Sequence, residues 1–383
     1  VNSPFRVAMI IQGYHPRVGG AERQLAAVAP RLQARGLDVH VLTRRYPGLA
    51  AEEIVNGVPV HRLPIPGPKR VGSLVFLAAA LLKLRQLRPQ VIHAHELLSP
   101  TTTALAARRL WKTPVVAKVL RGGAVGDLAK LRRNSLSASR LRPLQTQVDR
   151  FIVVSREIDR ELEAAGIPPQ RRAFIPNGVD CQRFAPATPE QKAAARAQLG
   201  LPANQPVLVF TGRIDPEKNL ALLLSLWPQI RLAAPQASLL LVGDGEQAAE
   251  LCAASPEGVL WPGKVTDPRP YLHAADIFVL PSLTEGLSNA LLEGMACGLA
   301  PVSSHVGGSE DVILPGVNGC LVPANDGAAL QEALVNLVSH PDICARMGAA
   351  SRERIAQEYD LETTVARLHH LYLEVTPQRS QPS

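Results

Sequence analysis

The chain is poor in aromatic residues: Phe, Trp and Tyr make up 4% of its 383 residues. Base-stacking platforms need such rings, so basic charge alone does not support a nucleic-acid binder. Cysteine is sparse as well. Cys181, Cys252, Cys297, Cys320 and Cys344 are odd in number, and none stands in a C-x-x-C pair. That argues against a disulfide framework or a zinc knuckle and fits a reducing cytoplasm. Long apolar runs are missing too. The longest, Leu74 to Leu82, falls well short of the ~20 residues that span a bilayer, and it reads as a buried helix closed by Lys83. The stretch Val7 to Ile11 is too short for a signal-peptide core and lacks a small-residue cleavage site. The first glycine-rich loop does not have the G-x-G-x-x-G spacing, which removes the dinucleotide fingerprint.

What is present is a composition of 46% hydrophobic and 19% charged residues, enough for two α/β cores. The net charge of +8 is uneven. Residues 1–180 hold 28 Lys and Arg against 12 Asp and Glu, a balance of +16, and the remainder carries −8. A cationic first half calls for an anionic partner such as a membrane surface or a phosphorylated acceptor.

Short apolar runs alternate with helical stretches. In the first half the runs are Arg6–Ile11, Val39–Thr43, Val58–Leu63, Val91–His95, Val115–Val119 and Phe151–Val154. The pattern restarts with Val207–Thr211, Ser238–Val242, Val259–Leu260, Ile277–Leu280 and Pro301–Ser304. Continuous apolar strands between helices indicate parallel sheets covered on both faces. The expected domains are 1–180 and 181–360. A helix over Leu361–Val375 returns to the first domain, and a frayed tail follows from Pro377. Residues 176–205, rich in Pro and Ala, read as a linker carrying one helix at Glu190–Leu199.

Four strand-end segments carry chemistry. Gly19-Gly20-Ala21-Glu22-Arg23 opens the first helix, where glycine lets backbone amides approach a phosphate. Val91-Ile92-His93-Ala94-His95 ends a strand at the edge where ligands of open α/β sheets sit. His95 is the better placed to touch substrate, and His93 reads as structural. Thr211-Gly212-Arg213-Ile214-Asp215-Pro216-Glu217-Lys218 supplies two cations for a leaving diphosphate. The run from Pro281 to Glu293 supplies two carboxylates, Glu285 and Glu293. A carboxylate accepts well from vicinal sugar hydroxyls. Gly286, Leu287 and Ser288 lead into a helix whose first amides suit a phosphate. The turn Gly243-Asp244-Gly245 reads as structural.

Together these motifs resemble the retaining glycosyltransferases of family 4, with the α/β GT-B fold: two Rossmann-like domains whose parallel sheets face a central cleft. Glu285 and Glu293 match the family's E-x7-E signature, and Arg213 and Lys218 match its cationic pair. Gly19 to Glu22, His93 with His95, and Ile175-Pro176-Asn177-Gly178-Val179-Asp180 match further motifs. The resemblance implies a nucleotide-diphosphate sugar as co-substrate, with no cofactor and no metal. It implies that Glu293 holds the ribose, that Glu285 contacts the transferred sugar, and that Arg213 and Lys218 stabilise the diphosphate. The base would lie at Gly263-Lys264-Val265, His95 over the sugar, and Gly20 against the phosphates. The implied acceptor is a glycan or a polyprenyl-diphosphate-linked glycan, met by an arginine-rich first domain (Arg121, Arg132, Arg133, Arg140, Arg142) at the inner membrane face. The alternatives are a nucleotide-sugar epimerase of the same fold and an inactive nucleotide-sugar-binding subunit.

Overall fold

The computed structural model describes residues 4–16, 19–123, 126–133 and 137–376; the side chains of Lys69 and residues 137–140 lie outside the description. The expected frayed tail from Pro377, and the side chain of Arg140, fall outside the described residues. The chain divides into two units, residues 1–177 with 361–383, and residues 178–360.

The first unit is built on eight strands: β1 (Phe5–Ile10), β2 (Leu37–Arg44), β3 (Glu52–Val55), β4 (Val58–Leu63), β5 (Val91–His95), β6 (Val115–Lys118), β7 (Arg150–Val153) and β8 (Arg172–Phe174). Their order is β3-β4-β2-β1-β5-β6-β7-β8. All neighbours are parallel except the edge strand β3, which runs antiparallel to β4. β5 and β6 are buried along their whole length, as strands covered on both faces must be. The helices Gly20–Ala34 and Leu361–Val375 share one core with the sheet, joining Leu25, Val28 and Leu32 to Met9, Val39, Leu368 and Tyr372.

The connection from β1 to β2 runs one way along the sheet; those from β4 to β5 and from β5 to β6 run the other way. Right-handed crossovers therefore put the helices Lys69–Leu87 and Ser99–Trp111 on the opposite face. Here the structure corrects the sequence reading. The stretch Leu74 to Leu82 is helical but not buried: Leu74 is 68% and Leu82 64% exposed. The helix buries Phe76, Ala80 and Leu84 on its inner side and leaves the other side apolar in solvent.

The second unit holds β9 (Val207–Thr211), β10 (Ser238–Val242), β11 (Val259–Gly263), β12 (Ile277–Leu280), β13 (Ala300–Ser304) and β14 (Cys320–Val322). The order is β11-β10-β9-β12-β13-β14, all parallel. The presumed linker is for the most part not one. From Gly178 onward it belongs to the second unit. The helix Pro189–Gln198 docks through buried Arg196, which donates to the Ala274 carbonyl at 2.9 Å and to Asp276 at 2.7 Å.

In each sheet the chain leaves its first strand in one direction and later returns on the other side. These switch points lie between β1 and β5 and between β9 and β12. β9 and β12 pair only at Ile277–Leu208 and Phe278–Val209. Beyond those residues no further pairing joins the two strands, and their carboxyl ends form a switch point, where open α/β sheets carry their ligand crevice.

Candidate active site

In the second unit the loops after β9 and β12 meet at that crevice. The loop after β9 forms a single turn at Pro216–Lys218 and ends in left-handed Asn219, φ 53°, which directs the chain into the helix Leu220–Ala233. Lys218 Nζ lies 2.5 Å from Glu285 Oε1 in the loop after β12. The Ser282 hydroxyl donates to the same oxygen at 2.8 Å, and the Leu283 amide donates to the Glu217 carbonyl at 2.8 Å. Glu285 is only 7% exposed. A buried carboxylate needs such partners to stay charged.

A second loop braces the first. The Gly308 amide donates to the Gly286 carbonyl at 2.5 Å. Gly307, at φ +53°, passes so close that a Cβ would strike the Glu285 and Gly286 carbonyls. Gly243 and Gly245 play a similar packing part between the loops after β9 and β10. A Cβ on either would meet the Gly212 or Ile214 backbone, and the Ile214 amide donates to the Asp244 carbonyl at 3.0 Å.

Ser288 caps the helix Asn289–Ala296, accepting from the Leu291 amide at 3.3 Å. Glu293 follows just over one turn in and is 8% exposed. Its charge, after burial, helps push the Cys297 thiol up to about 12. Gly294 sits against the Phe278 ring with no room for a Cβ, so this helix lies tight on β12. Leu287 is buried, and Val265, two residues beyond β11, is half-buried.

Arg213 departs from the expected pair. Its side chain is 70% exposed and meets Asp215 at 3.0 Å rather than joining Lys218 at Glu285. The structure thus brings together Lys218 and Glu285 and leaves Arg213 at the loop surface.

In the first unit the strand-end site is of another kind. The His93 and His95 rings stack with centroids 4.1 Å apart, both buried. His93 Nδ1 is hydrogen-bonded to the Tyr372 hydroxyl at 2.6 Å. Tyr372 comes from the helix Leu361–Val375, 279 residues away in sequence. Nε2 of both histidines is buried without a hydrogen-bond partner. A small cavity beside them is lined by Met9, Gln24, His95, Lys118 and Thr364. Burial lowers His93 to about 3, and burial with the charges of His93 and Lys118 lowers His95 well below its ordinary value. Both rings are neutral. Gly20 begins the helix Gly20–Ala34, and Gly19 lies against the Glu22 carboxylate.

Three side chains here escaped the sequence reading. Lys118, at the end of β6, is buried, lowered by burial to about 8, and donates to Asn177 Oδ1 at 2.8 Å. A lysine ending an apolar strand was the available signal. Glu96 follows His95 at φ +95°, a conformation costing roughly 1–3 kcal/mol outside glycine. It accepts from Gln12 Nε2 at 2.5 Å, and burial with nearby Asp127 raises its carboxyl. Tyr372 had no signal, because only the fold brings it to His93.

Comparison with known proteins matches both halves of the chain. Residues 18–183 match the family model described as Glycosyltransferase Family 4, and residues 205–340 match Glycosyl transferases group 1. The D-inositol 3-phosphate glycosyltransferase of Thermobispora bispora is 30% identical over 93% of this chain and 90% of its own. A GDP-mannose-dependent monoacylated alpha-(1-6)-phosphatidylinositol monomannoside mannosyltransferase of Corynebacterium glutamicum is 33% identical. That alignment spans 61% of this chain and 65% of the relative. Among solved structures, sucrose-phosphate synthase of Thermosynechococcus elongatus superposes with a TM-score of 0.82 at 24% identity, over 97% of this chain and 98% of that one. Anabaena HepE in complex with UDP-glucose gives 0.79 at 19%, over 96% and 99%. With two parallel-sheet units, charged loops at a switch point and both halves matched, the chain belongs to the group 1, family 4 glycosyltransferases of the GT-B fold, enzymes that use nucleotide sugars.

Proposed function

We propose that the protein moves a hexose from a UDP- or GDP-sugar to a glycan or polyprenyl-diphosphate-linked acceptor in cell-envelope polysaccharide or glycolipid synthesis. The anomeric configuration is retained, no metal or other cofactor takes part, and the reaction is cytoplasmic, at the inner membrane face. The observation that carries this reading is the Lys218–Glu285 pair at the β9/β12 crevice. Such a pair holds an ammonium ready where a diphosphate must leave. Negative charge grows on that diphosphate as the glycosidic bond breaks, and a preplaced cation strengthens its hold as it does so. Arg213, exposed and paired with half-buried Asp215, swings in as the second cation.

Glu285 serves the transferred sugar and Glu293 the ribose, each carboxylate accepting from vicinal hydroxyls. Amides around Gly286, Leu287 and Ser288 face the phosphates at the helix start. The base rests beside Val265, and Gly20 allows close backbone approach to the phosphates. His95, neutral, hydrogen-bonds the sugar without adding charge. The mannosyltransferase relative is GDP-mannose-dependent and HepE is solved with UDP-glucose, which supports both nucleotide classes as candidates.

Incubation with a panel of UDP-, GDP- and ADP-sugars, with and without membrane lipid extract, tests this. We expect nucleotide release with one UDP- or GDP-sugar, an unchanged rate in EDTA, and an axial or equatorial anomeric proton matching the donor. Interconversion of the sugar while still on its nucleotide would instead identify an epimerase. Binding without any turnover would identify an inactive subunit, and loss of activity in chelator restored by magnesium would reject metal independence.

A further inference from the structure

The helix Lys69–Leu87 contains no acidic residue, and neither does its neighbour Ser99–Trp111. Between Glu53 and Asp127 the only acid in the chain is Glu96, which lies at the far end of β5 and is engaged by Gln12. Both helices run back from the carboxyl edge of the sheet to its amino edge. They pack against each other, so their last turns are side by side.

On the outer side of the first helix, Val71, Leu74, Ala78 and Leu82 follow helical spacing and are all exposed. Leu110, 62% exposed, and Trp111 extend the apolar surface from the second helix. Arg85, Arg88, Arg109 and Lys112, all exposed, surround the lower end of this surface. Acids close by are paired: Glu52 meets Lys83 at 2.7 Å, Glu53 meets Arg62 at 2.6 Å, and Asp149 pairs with Arg108 of the second helix.

Isolated exposed leucines need no explanation, but an apolar stripe along one helix, beside a second helix that ends in exposed Leu110 and Trp111 among cations, does. A second copy of this chain would bring two cationic borders together. A phosphate polymer would satisfy the arginines but leave the aliphatic ridge in water. An anionic lipid surface satisfies both, and a tryptophan beside arginines is the composition of the headgroup boundary.

We propose that the face formed by the helices Lys69–Leu87 and Ser99–Trp111 docks on an anionic lipid bilayer. Leu74, Leu82 and Trp111 enter the acyl boundary, and Arg85, Arg88 and Lys112 sit among the headgroups. This deepens the membrane-side reading above but moves it. The arginine-rich stretch from Arg121 to Arg142 suggests an electrostatic contact without insertion, whereas Arg121 and Arg133 interact with other groups of the protein. Among the described residues no helix is long and apolar enough to cross a membrane, so the ridge lies in the interface and does not span it.

The test is co-sedimentation of the full chain with phosphatidylcholine vesicles, with and without about one-third phosphatidylglycerol. The chain should bind the anionic vesicles and not the neutral ones. Leu74→Glu with Leu82→Glu should weaken that binding at least about tenfold, since each buried leucine side chain is worth more than that. Raising salt to about 1 M shortens the Debye length to ~3 Å and should weaken wild-type binding. Quenching by bromine-labelled lipid should fall when Trp111→Phe is introduced. Nucleotide affinity, measured by calorimetry, should not change in the double variant; this reports that the protein is folded. Equal vesicle binding by wild type and double variant would overturn the proposal. So would a concentration-dependent sedimentation coefficient that the double variant abolishes, which would assign the ridge to self-association. The absence of transfer with any sugar nucleotide would overturn the proposed reaction and leave the vesicle result standing.

Discussion

The two units use one sheet plan and opposite electrostatics. In the second unit the strand ends keep charge: Lys218 and Glu285 stand 2.5 Å apart, with Ser282 on the same oxygen. In the first unit burial disfavours charge, most strongly on the histidines. His93 and His95 are stacked, buried and neutral, and Lys118 is lowered to about 8 with an amide oxygen as its hydrogen-bond partner. A parallel sheet decides where side chains converge, at the carboxyl ends beside the switch point. It does not decide their charge. That is set by the loops in the second unit and, in the first, by the helix Leu361–Val375, which carries Tyr372 to His93.

The sharpest way to break this comparison is to remove the cation. Lys218→Ala deletes the donor proposed for the developing charge, and loss of such a donor typically costs about 10²–10³ in turnover. It also leaves Glu285 buried without its counter-ion, and such losses cost about 3–5 kcal/mol for fully buried pairs. Lys218 is partly exposed, so the lower end is expected. Adding Glu285→Gln to Lys218→Ala should restore thermal stability and not turnover. Nucleotide release and thermal melts read the two effects separately. Turnover within a factor of about two of wild type would mean that charge at this loop does not serve the reaction.

A smaller effect is expected one turn further on. Glu293→Ala removes the acceptor proposed for the ribose hydroxyls. Hydroxyls left without a partner in a closed site cost about 1–3 kcal/mol, or roughly five- to 150-fold in affinity. Calorimetric titration with the nucleotide that supports turnover measures this. Unchanged affinity would take Glu293 out of donor binding and leave Lys218 and Glu285 to carry the second unit alone.

The charged half of the comparison was legible in the sequence, and the neutral half mostly was not. Charged residues announce themselves: Arg213, Lys218 and Glu285 stand in strand-to-helix loops, Glu293 stands one turn into the following helix, and the strands Val207–Thr211, Ser238–Val242 and Ile277–Leu280 have the expected bounds. The partner choice within the set was not readable, because Arg213 and Lys218 look alike until the loop turns at Pro216–Lys218 and separates them. In the first unit His93 reads as structural, but Tyr372 could be found only through the fold. β3 has no apolar run to mark it, since it opens with Glu52 and Glu53. It forms by pairing with β4, Glu52 opposite His61, and by salt bridges to Lys83 and Arg62. The ridge at Leu74 and Leu82 misled for a related reason. Periodicity reports that a helix is apolar; it does not report that the apolar side lacks a cover.

Acid sharpens the same contrast on the stability side, with the smallest expected effect. His93 and His95 have folded values below the ordinary 6.5, to about 3 for His93. Between those limits the unfolded chain binds protons that the folded chain refuses. Their contribution is therefore fully present above about pH 6.5 and is lost as pH falls, by up to about 1.4 kcal/mol per pH unit for each ring. His40 and His61, both lowered mainly by burial, add to the loss in the first unit, while in the second His273 is the lowered histidine among the described residues. Glu96 and Asp127, raised by burial, act the other way: the folded state takes up their protons first, which recovers some stability in the carboxylate range. The net difference should thus be clearest from about pH 6.5 to about pH 5. Hydrogen exchange read by mass spectrometry on peptides from β1 and β5, against peptides from β9 and β12, should show the first pair losing opening free energy faster over that window. Replacing His93 by Gln should flatten the first unit's slope. Parallel loss in both units, or a slope that His93→Gln leaves unchanged, would mean that the buried imidazoles do not set the first unit's response to acid.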